Sequence, residues 1–270
     1  MKDKLQTWED AVLWMRRQPR YQQAALDCFY DDPISSAAER YFRSTEWQAI
    51  RTFLPRPAGN ALDIGAGRGI SSYALACEGW QVTALEPDSS TVVGTGAIRR
   101  LANKSDLSIE VVETWGESLP FPNNSFDLVH ARAVLHHARN LTILCREAER
   151  VLKKGGYFLA LREHVINRPR DLKRFQQNHP LHSIFGGEHA FQETEYRQAM
   201  VQAGLILKQV INPFESDINL YPRNREDLKN LLGLKIIPHV MIPDIFLRLL
   251  GKLYRKPGRL FSFIAKKGGA

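Results

Sequence analysis

Apolar residues recur at helical spacing through the first fifty-odd positions: Trp8, Ala11, Val12 and Met15, then Tyr21, Ala24, Ala25, Cys28 and Phe29. Ala38, Tyr41 and Phe42 continue the pattern, as do Trp47, Ile50, Phe53 and Leu54. The spacing predicts a helical cap over residues 1–56. Pro55-Arg56-Pro57-Ala58-Gly59-Asn60 stops it, since proline and glycine do not continue a helix. Short apolar runs then predict strands at 61–64, 80–85, 126–129 and 157–161. Helical segments fall between them, one opening at Ile70 and one N-capped by Asn140. In the second, Leu141, Leu144, Cys145, Ala148, Val151 and Leu152 form a single stripe, ended by Gly155-Gly156. A helix over 194–203, stopped by Gly204, leads to strands at 205–211 and 260–265. Alternating strands and helices predict an α/β fold with a doubly wound sheet. Residues 215–258 are too long for a turn and read as an inserted helical subdomain. The chain thus divides into a cap (1–56), a core (57–214), an insert (215–258) and a last core strand (259–270).

Composition narrows the function classes. A chain of 270 residues with 44% hydrophobic content can bury one sizeable core. Cys28, Cys77 and Cys145 are odd in number, far apart and outside any C-x-x-C pair, which argues for reduced thiols and against a disulfide framework or zinc ribbon. The first ten residues lack the apolar region of a signal peptide, and no run approaches the ~18 apolar residues of a membrane span. A cytoplasmic protein is the expectation. The net charge of +8 is uneven: from Ser216 onward there are eleven Lys and Arg against four Asp and Glu. The core therefore offers no general nucleic-acid surface. Ile236, Ile237, Val240, Met241, Ile242 and Phe246 lie among cations such as Arg248, Lys252 and Arg255. Residues 215–258 therefore read as a helical lid, with a weak membrane or lipid-linked substrate contact through 236–259.

The chemistry is concentrated at Ala61-Leu62-Asp63-Ile64-Gly65-Ala66-Gly67-Arg68-Gly69. A strand runs into an acid, and glycine then falls at every second position before a helix. Such a turn brings backbone N–H groups close to a ligand. A dinucleotide turn reads G-x-G-x-x-G; here the third glycine is one residue early and a carboxylate precedes the first. Pyrophosphate would be repelled by Asp63, whereas a ligand carrying ammonium and sulfonium groups suits it. The stretch resembles motif I of the class I S-adenosylmethionine-dependent methyltransferases. Glu86, followed by Pro87, ends the next strand about 20 residues on, where a carboxylate can accept both ribose hydroxyls. Leu119-Pro120-Phe121-Pro122 leading to Ser125-Phe126-Asp127-Leu128-Val129, and Arg150-Val151-Leu152-Lys153-Lys154-Gly155-Gly156, resemble two further motifs of that family. The resemblance covers about residues 61–165 and implies a Rossmann-like seven-stranded sheet with an antiparallel last strand, and S-adenosylmethionine as cofactor. It implies cofactor contacts from Asp63, Gly65, Ala66, Gly67, Glu86 and Pro87. One position departs from the family: Trp115 stands where an adenine-binding Asp is common. Trp115 stacking on the base, a backbone group near Gly116, or the Glu117 carboxylate could take that role; core packing is the alternative for Trp115.

Ligands of such sheets bind beyond the carboxyl ends of the strands. Seven of the eight histidines lie between 130 and 189. His136-His137 matches a run widespread in the family, where a structural role is common. His182, His164 and His179, in that order of preference, are the candidate general bases, because neutral imidazole abstracts protons near pH 7. His164, His179, His182 and Glu188 could ligate a metal, but their spacing fits no metal signature, and no metal is expected. The end of the fourth strand lacks an Asn/Asp-Pro-Pro-aromatic signature, and no cysteine sits in a catalytic-looking loop, which disfavours nucleobase targets. The expected acceptor is a small-molecule hydroxyl. An amine acceptor, or a non-catalytic cofactor-binding module, are the alternatives. The sequence does not fix the acceptor or the oligomeric state.

Overall fold

The computed structural model describes residues 7–233 and 242–269. The cap comprises α1 (Trp8–Arg17), α2 (Gln22–Asp27), α3 (Ile34–Phe42) and α4 (Thr45–Arg51). Thr7 starts α1 with a capping box to Asp10, and Ser44 caps α4 through Trp47 N–H. The core then alternates: β1 (Asn60–Ile64), α5 (Ile70–Cys77), β2 (Gln81–Leu85), α6 (Thr95–Lys104), β3 (Ile109–Val112), β4 (Phe126–Arg132), α7 (Leu141–Val151) and β5 (Leu152–Ile166). After β5 come α8 (Asp171–Asn178), α9 (Pro180–Ile184), a two-residue β6 (Phe191–Gln192), α10 (Glu193–Gln202) and β7 (Leu205–Ile211). The insert holds α11 (Arg225–Gly233) and α12 (Asp244–Leu253), and β8 (Arg259–Lys267) closes the sheet.

The sheet order is β3-β2-β1-β4-β5-β8-β7, with β6 beside β5. β1 to β5 run parallel, while β8 is antiparallel to both β5 and β7. This is the Rossmann-like arrangement the sequence implied, extended by β6. The order reverses between β1 and β4, so the carboxyl ends of those two strands flank the crevice where ligands bind in such sheets. Apolar side chains fill both faces. Leu62, Val129, Phe158 and Phe263 pack on one, and Trp47, Leu75, Leu128 and Ile264 on the other.

β5 differs from expectation. It begins at Leu152 and runs through the double glycine to Ile166, so Arg162, Glu163 and His164 lie within the strand rather than past it. A bulge explains the extra length. Pairing with β8 slips between Ala160 and Glu163, Arg162 takes a positive φ of 59°, and its N–H donates to Ser262 Oγ instead. Pairing then resumes, with His164 opposite Leu260.

The insert is anchored at both ends. Arg162 donates to the carbonyls of Ile218 and Tyr221, and the Tyr221 ring stacks on Phe29 of the cap at 5.0 Å. Leu247 and Gly251 are the buried positions of α12; a side chain on Gly251 would meet Asn212 Oδ1 at 2.0 Å. The opposite face of α12 exposes Ile245, Phe246, Leu249 and Leu253 beside Arg248 and Lys252. Residues 234–241 of the expected lid, and with them 236–241 of the expected membrane contact, lie outside the described residues. No helix among the described residues is long and apolar enough to cross a membrane.

Candidate active site

Gly65, Gly67 and Gly69 all adopt positive φ (63°, 55° and 80°), a region costly for side-chain-bearing residues. Two of them also meet neighbours: a side chain on Gly65 would lie 2.7 Å from Val134, and one on Gly69 3.1 Å from Ile98. At Gly67 the nearest atom would be Val93 O at 4.0 Å, so this part of the turn faces an opening. Ala66 N–H donates to Leu85 O, joining the turn to the end of β2. There Glu86 accepts from Gly67 N–H at 2.8 Å and from Asp88 N–H at 3.0 Å, one bond per oxygen. Burial raises its pKa, against the pull of those two N–H groups. A carboxylate has about four acceptor sites, so two remain for hydroxyl donors. Turn and carboxylate therefore fit the adenosine of the cofactor the sequence implied.

Asp63 is placed differently from the expectation of a ligand contact. It is 1% exposed, accepting from Ser72 Oγ at 2.6 Å, with Oδ1 2.8 Å from His130 Nδ1. β1 and β4 set this pair opposite each other in register. Buried and bonded at each oxygen, Asp63 ties the ends of β1 and β4 together. Trp115 lies outside the core, 52% exposed, with the Arg139 guanidinium 4.3 Å from its ring. Gly116 allows its loop to press on the end of β1, since a side chain there would meet Ile64 at 3.0 Å. Glu117 is engaged by the N–H of Arg139.

The cap is fastened to the glycine turn by a residue of the motif itself. Arg68, 3% exposed, donates to the carbonyls of Phe29 and Asp31 and to the Asp32 carboxylate. This latch brings Tyr30 within range of Glu86; burial pushes its phenol up to about 12. Tyr30, Trp8 and Phe185 form an aromatic run with successive ring separations of 5.6 Å, linking the turn to the loop after α9. Cys28 keeps accessible surface although it is deeply embedded, with Arg132, Arg162 and Glu188 near enough to act on its thiol. Burial raises the thiol pKa. Arg132 and Arg162 do not reach for a ligand: both pair with the fully buried Glu46 of α4.

Beyond β4 and along β5 sits the histidine cluster. Glu163 accepts the N–H groups of Val134, Leu135 and His136 and bonds His136 Nδ1 at 2.7 Å. Burial pushes Glu163 up to about 7. Bonded to a carboxylate, His136 Nδ1 carries the proton, and His136 Nε2 points onward. His164 Nδ1 likewise faces the Gly258 carbonyl at 2.9 Å and must donate to it. Burial holds the pKa of both rings well below the usual value, so both are neutral. His136 packs on His137 and His164, and His164 on His179, with ring separations of 4.2, 4.8 and 5.3 Å. Burial, then His182 and His137, lower His179 to about 4. Glu188 completes the cluster, 4.0 Å from His136 Nε2 and 3.8 Å from His179 Nδ1; burial pushes it up to about 7.

The structure thus brings His164 and His179 together, with His182 on α9, the short helix that begins just after His179. His130 belongs to the Asp63 pair, and His189 packs on Phe191 at 4.5 Å. Sequence reasoning missed the roles of Glu163, Arg68 and Glu46. Of these only Arg68 carried a signal, being a cation inside the glycine motif.

Residues 62–160 match a family model described as a methyltransferase domain. An uncharacterised methyltransferase of Bacillus subtilis (strain 168), YcgJ, is 32% identical over 120 residues, 44% of this chain and 47% of its own length. The 27-O-demethylrifamycin SV methyltransferase of Amycolatopsis mediterranei (strain S699) is 32% identical over 142 residues, 51% of this chain and 50% of its own. The chain therefore spans about half the length of the curated relatives it matches. A geranyl diphosphate methyltransferase solved in complex with S-adenosylmethionine shares the fold, with a TM-score of 0.59 at 16% identity over 94% of this chain and 92% of that one.

Proposed function

We propose that this chain, whose residues 62–160 match a methyltransferase domain, is a class I methyltransferase that transfers a methyl group from S-adenosylmethionine to a small-molecule hydroxyl. The observation that carries the reading is Glu86, which bridges the glycine turn and the end of β2 with two acceptor positions left over. Gly65, Ala66, Gly67 and Pro87 would frame the ribose and methionine portions, with Trp115 and Gly116 beside the adenine. Asp63 would act at one remove, by holding His130 and Ser72.

The bound cofactor supplies a methyl group already made electrophilic by its sulfonium. What remains for the chain is to align the acceptor and take its proton. The latch at Arg68 and the aromatic run from Tyr30 to Phe185 shut the cap over the crevice, which excludes water. An imidazole of the 179–182 segment is the proposed proton acceptor, His182 first and His179 second. His164 moves down the order, because its Nδ1 is committed to Gly258 O and its ring is grouped with His136 and Glu188. The O-methyl reading agrees with the named activity of the rifamycin relative. The outward face of α12 supports the proposal that the insert touches an anionic lipid surface or a lipid-linked acceptor.

The test is release of S-adenosylhomocysteine from S-adenosylmethionine in the presence of a panel of phenols, sugars and polyketide hydroxyls, with matching amines alongside. Turnover on a hydroxyl that Glu86→Ala abolishes supports the reading. Turnover confined to amines would overturn the hydroxyl assignment, and cofactor binding without turnover on either panel or on cell extract would favour a binding module.

A further inference from the structure

Three donor atoms of the histidine cluster converge on one point. Those of His136, His164 and Glu188 all lie within 4.8 Å of one another. The Nδ1 atoms of both rings are already occupied, by Glu163 and by the Gly258 carbonyl. Each Nε2 is therefore a bare lone pair, and neither makes a hydrogen bond among the described residues. Metal-ligating histidines characteristically donate their second ring N–H to a carboxylate or a backbone carbonyl. Both kinds of support are present here. Glu188 is 9% exposed, and among the described residues no hydrogen bond reaches its carboxylate, which lies 3.8 and 4.0 Å from imidazole nitrogens of His179 and His136. A buried carboxylate without a donor is costly unless a cation joins it.

We propose that His136 Nε2, His164 Nε2 and the Glu188 carboxylate form a binding site for a divalent transition-metal ion of the zinc type. The donor set of two imidazoles and one carboxylate suits zinc and its neighbours rather than calcium or magnesium, which prefer all-oxygen sites. A point equidistant from three atoms 4.8 Å apart is about 2.8 Å from each, against roughly 2.0–2.2 Å for zinc. With 4.8 Å as the largest separation, each ligand closes in by at most about 0.7 Å. The two rings do so by a slight tilt that keeps the bonds at Nδ1, and Glu188 follows Gly186 and Gly187, both at positive φ, so it rides on a loop able to move inward. Three protein ligands leave a position open, as in catalytic zinc sites. On the methyl-transfer reading above, a hydroxyl in that position would give up its proton more readily to the neighbouring 179–182 imidazoles.

The full-length protein, stripped with a chelator, is titrated with Co²⁺ followed by displacement with Zn²⁺, and its metal content is measured after dialysis. About one ion per chain is expected, with a cobalt absorption spectrum of low coordination number. Glu188→Gln and His164→Ala should each weaken binding at least tenfold, and Glu163→Gln about 10- to 100-fold through loss of support to His136. His189→Ala, whose ring packs on Phe191 instead, should bind as wild type. Failure of the wild-type protein to retain either ion in stoichiometric amount overturns the site, as does equal binding by Glu188→Gln. The methyl-transfer reading is judged separately: cofactor turnover that survives complete chelation overturns the metal but not the transferase. A protein that holds zinc but never binds S-adenosylmethionine does the reverse.

Discussion

Arg132, the last residue of β4, grips Glu46 of the cap through two hydrogen bonds of 2.5 and 2.9 Å. The cap and the sheet are joined by charge at this point as well as by packing. Burial alone would raise the Glu46 pKa, but Arg132 and Arg162 outweigh it and hold the group below its ordinary 4.5. A depressed carboxylate contributes stability that is present above the unfolded value and is lost as pH falls through the folded one. Acid unfolding of the wild type should therefore steepen below about pH 4.5, and Glu46→Gln should flatten that limb. At neutral pH the variant should lose about 3–5 kcal/mol, since it leaves two guanidinium groups buried without their counter-charge. Denaturant melts at pH 7 and pH 4 check both parts; equal losses at the two pH values would show that the ion pair is not the cause.

Glu86 and Asp63 should separate when each is replaced. Glu86→Ala is expected to weaken S-adenosylmethionine and S-adenosylhomocysteine by about 1.5–3 kcal/mol, the range for losing hydrogen bonds to a charged group. Asp63→Ala should chiefly lower the melting temperature, because it strands the buried His130 and Ser72. Calorimetry and thermal melts on the same two proteins decide the matter. A strong direct loss of affinity in a fully stable Asp63→Ala would return that residue to the ligand.

Trp115 is the departure from the family with the plainest test. If its ring stacks on adenine, Trp115→Ala should weaken the cofactor by about 1–3 kcal/mol, as aromatic–base stacks do, while Trp115→Phe keeps most of the affinity. A ring that only shields Arg139 would show no affinity change in either variant.

His182→Gln should cut turnover by about 10²–10⁴-fold, the usual contribution of a positioned base, with cofactor affinity intact. His179→Gln is the companion variant. Less than a tenfold loss in both would leave alignment of the reactants as the main source of rate.

The outward face of α12 should carry the protein to anionic vesicles in flotation, less so at high salt, with neutral vesicles as control. Phe246→Glu should abolish the effect, since it sets a charge among Ile245, Leu249 and Leu253. Flotation that ignores either salt or this substitution would count against the helix as the contact.

What could be read from sequence was what is local. The glycine turn, the acid at the end of β2 and the strand–helix alternation all depend on neighbours within a few positions, and the structure has them where the pattern put them. What could not be read depends on partners far along the chain. Nothing near Asp63 says that His130, 67 residues later, bonds its carboxylate. β5 was read as five residues because the bulge at Arg162 depends on Ser262, a hundred positions away. Glu46 gave no sign at all, since an acid in a short helix is ordinarily a solvated one. The histidines were visible as a group, but which nitrogen each presents is decided by Glu163 and by a backbone carbonyl.

That carbonyl belongs to Gly258, where the insert rejoins the sheet. A side chain there would strike the Phe175 ring at 2.3 Å, so the return of the chain is pinned to a single spot against α8. The described part of the insert is held by Leu247 and Gly251 of α12 and by this landing point, so its outward positions can change in composition so long as those three are kept. The arrangement works like a cassette. A foreign insert spliced in just upstream of Pro257 would keep Gly258 and with it the His164 tautomer, whereas a graft that replaced Gly258 would disturb the tight turn and the carbonyl that His164 uses.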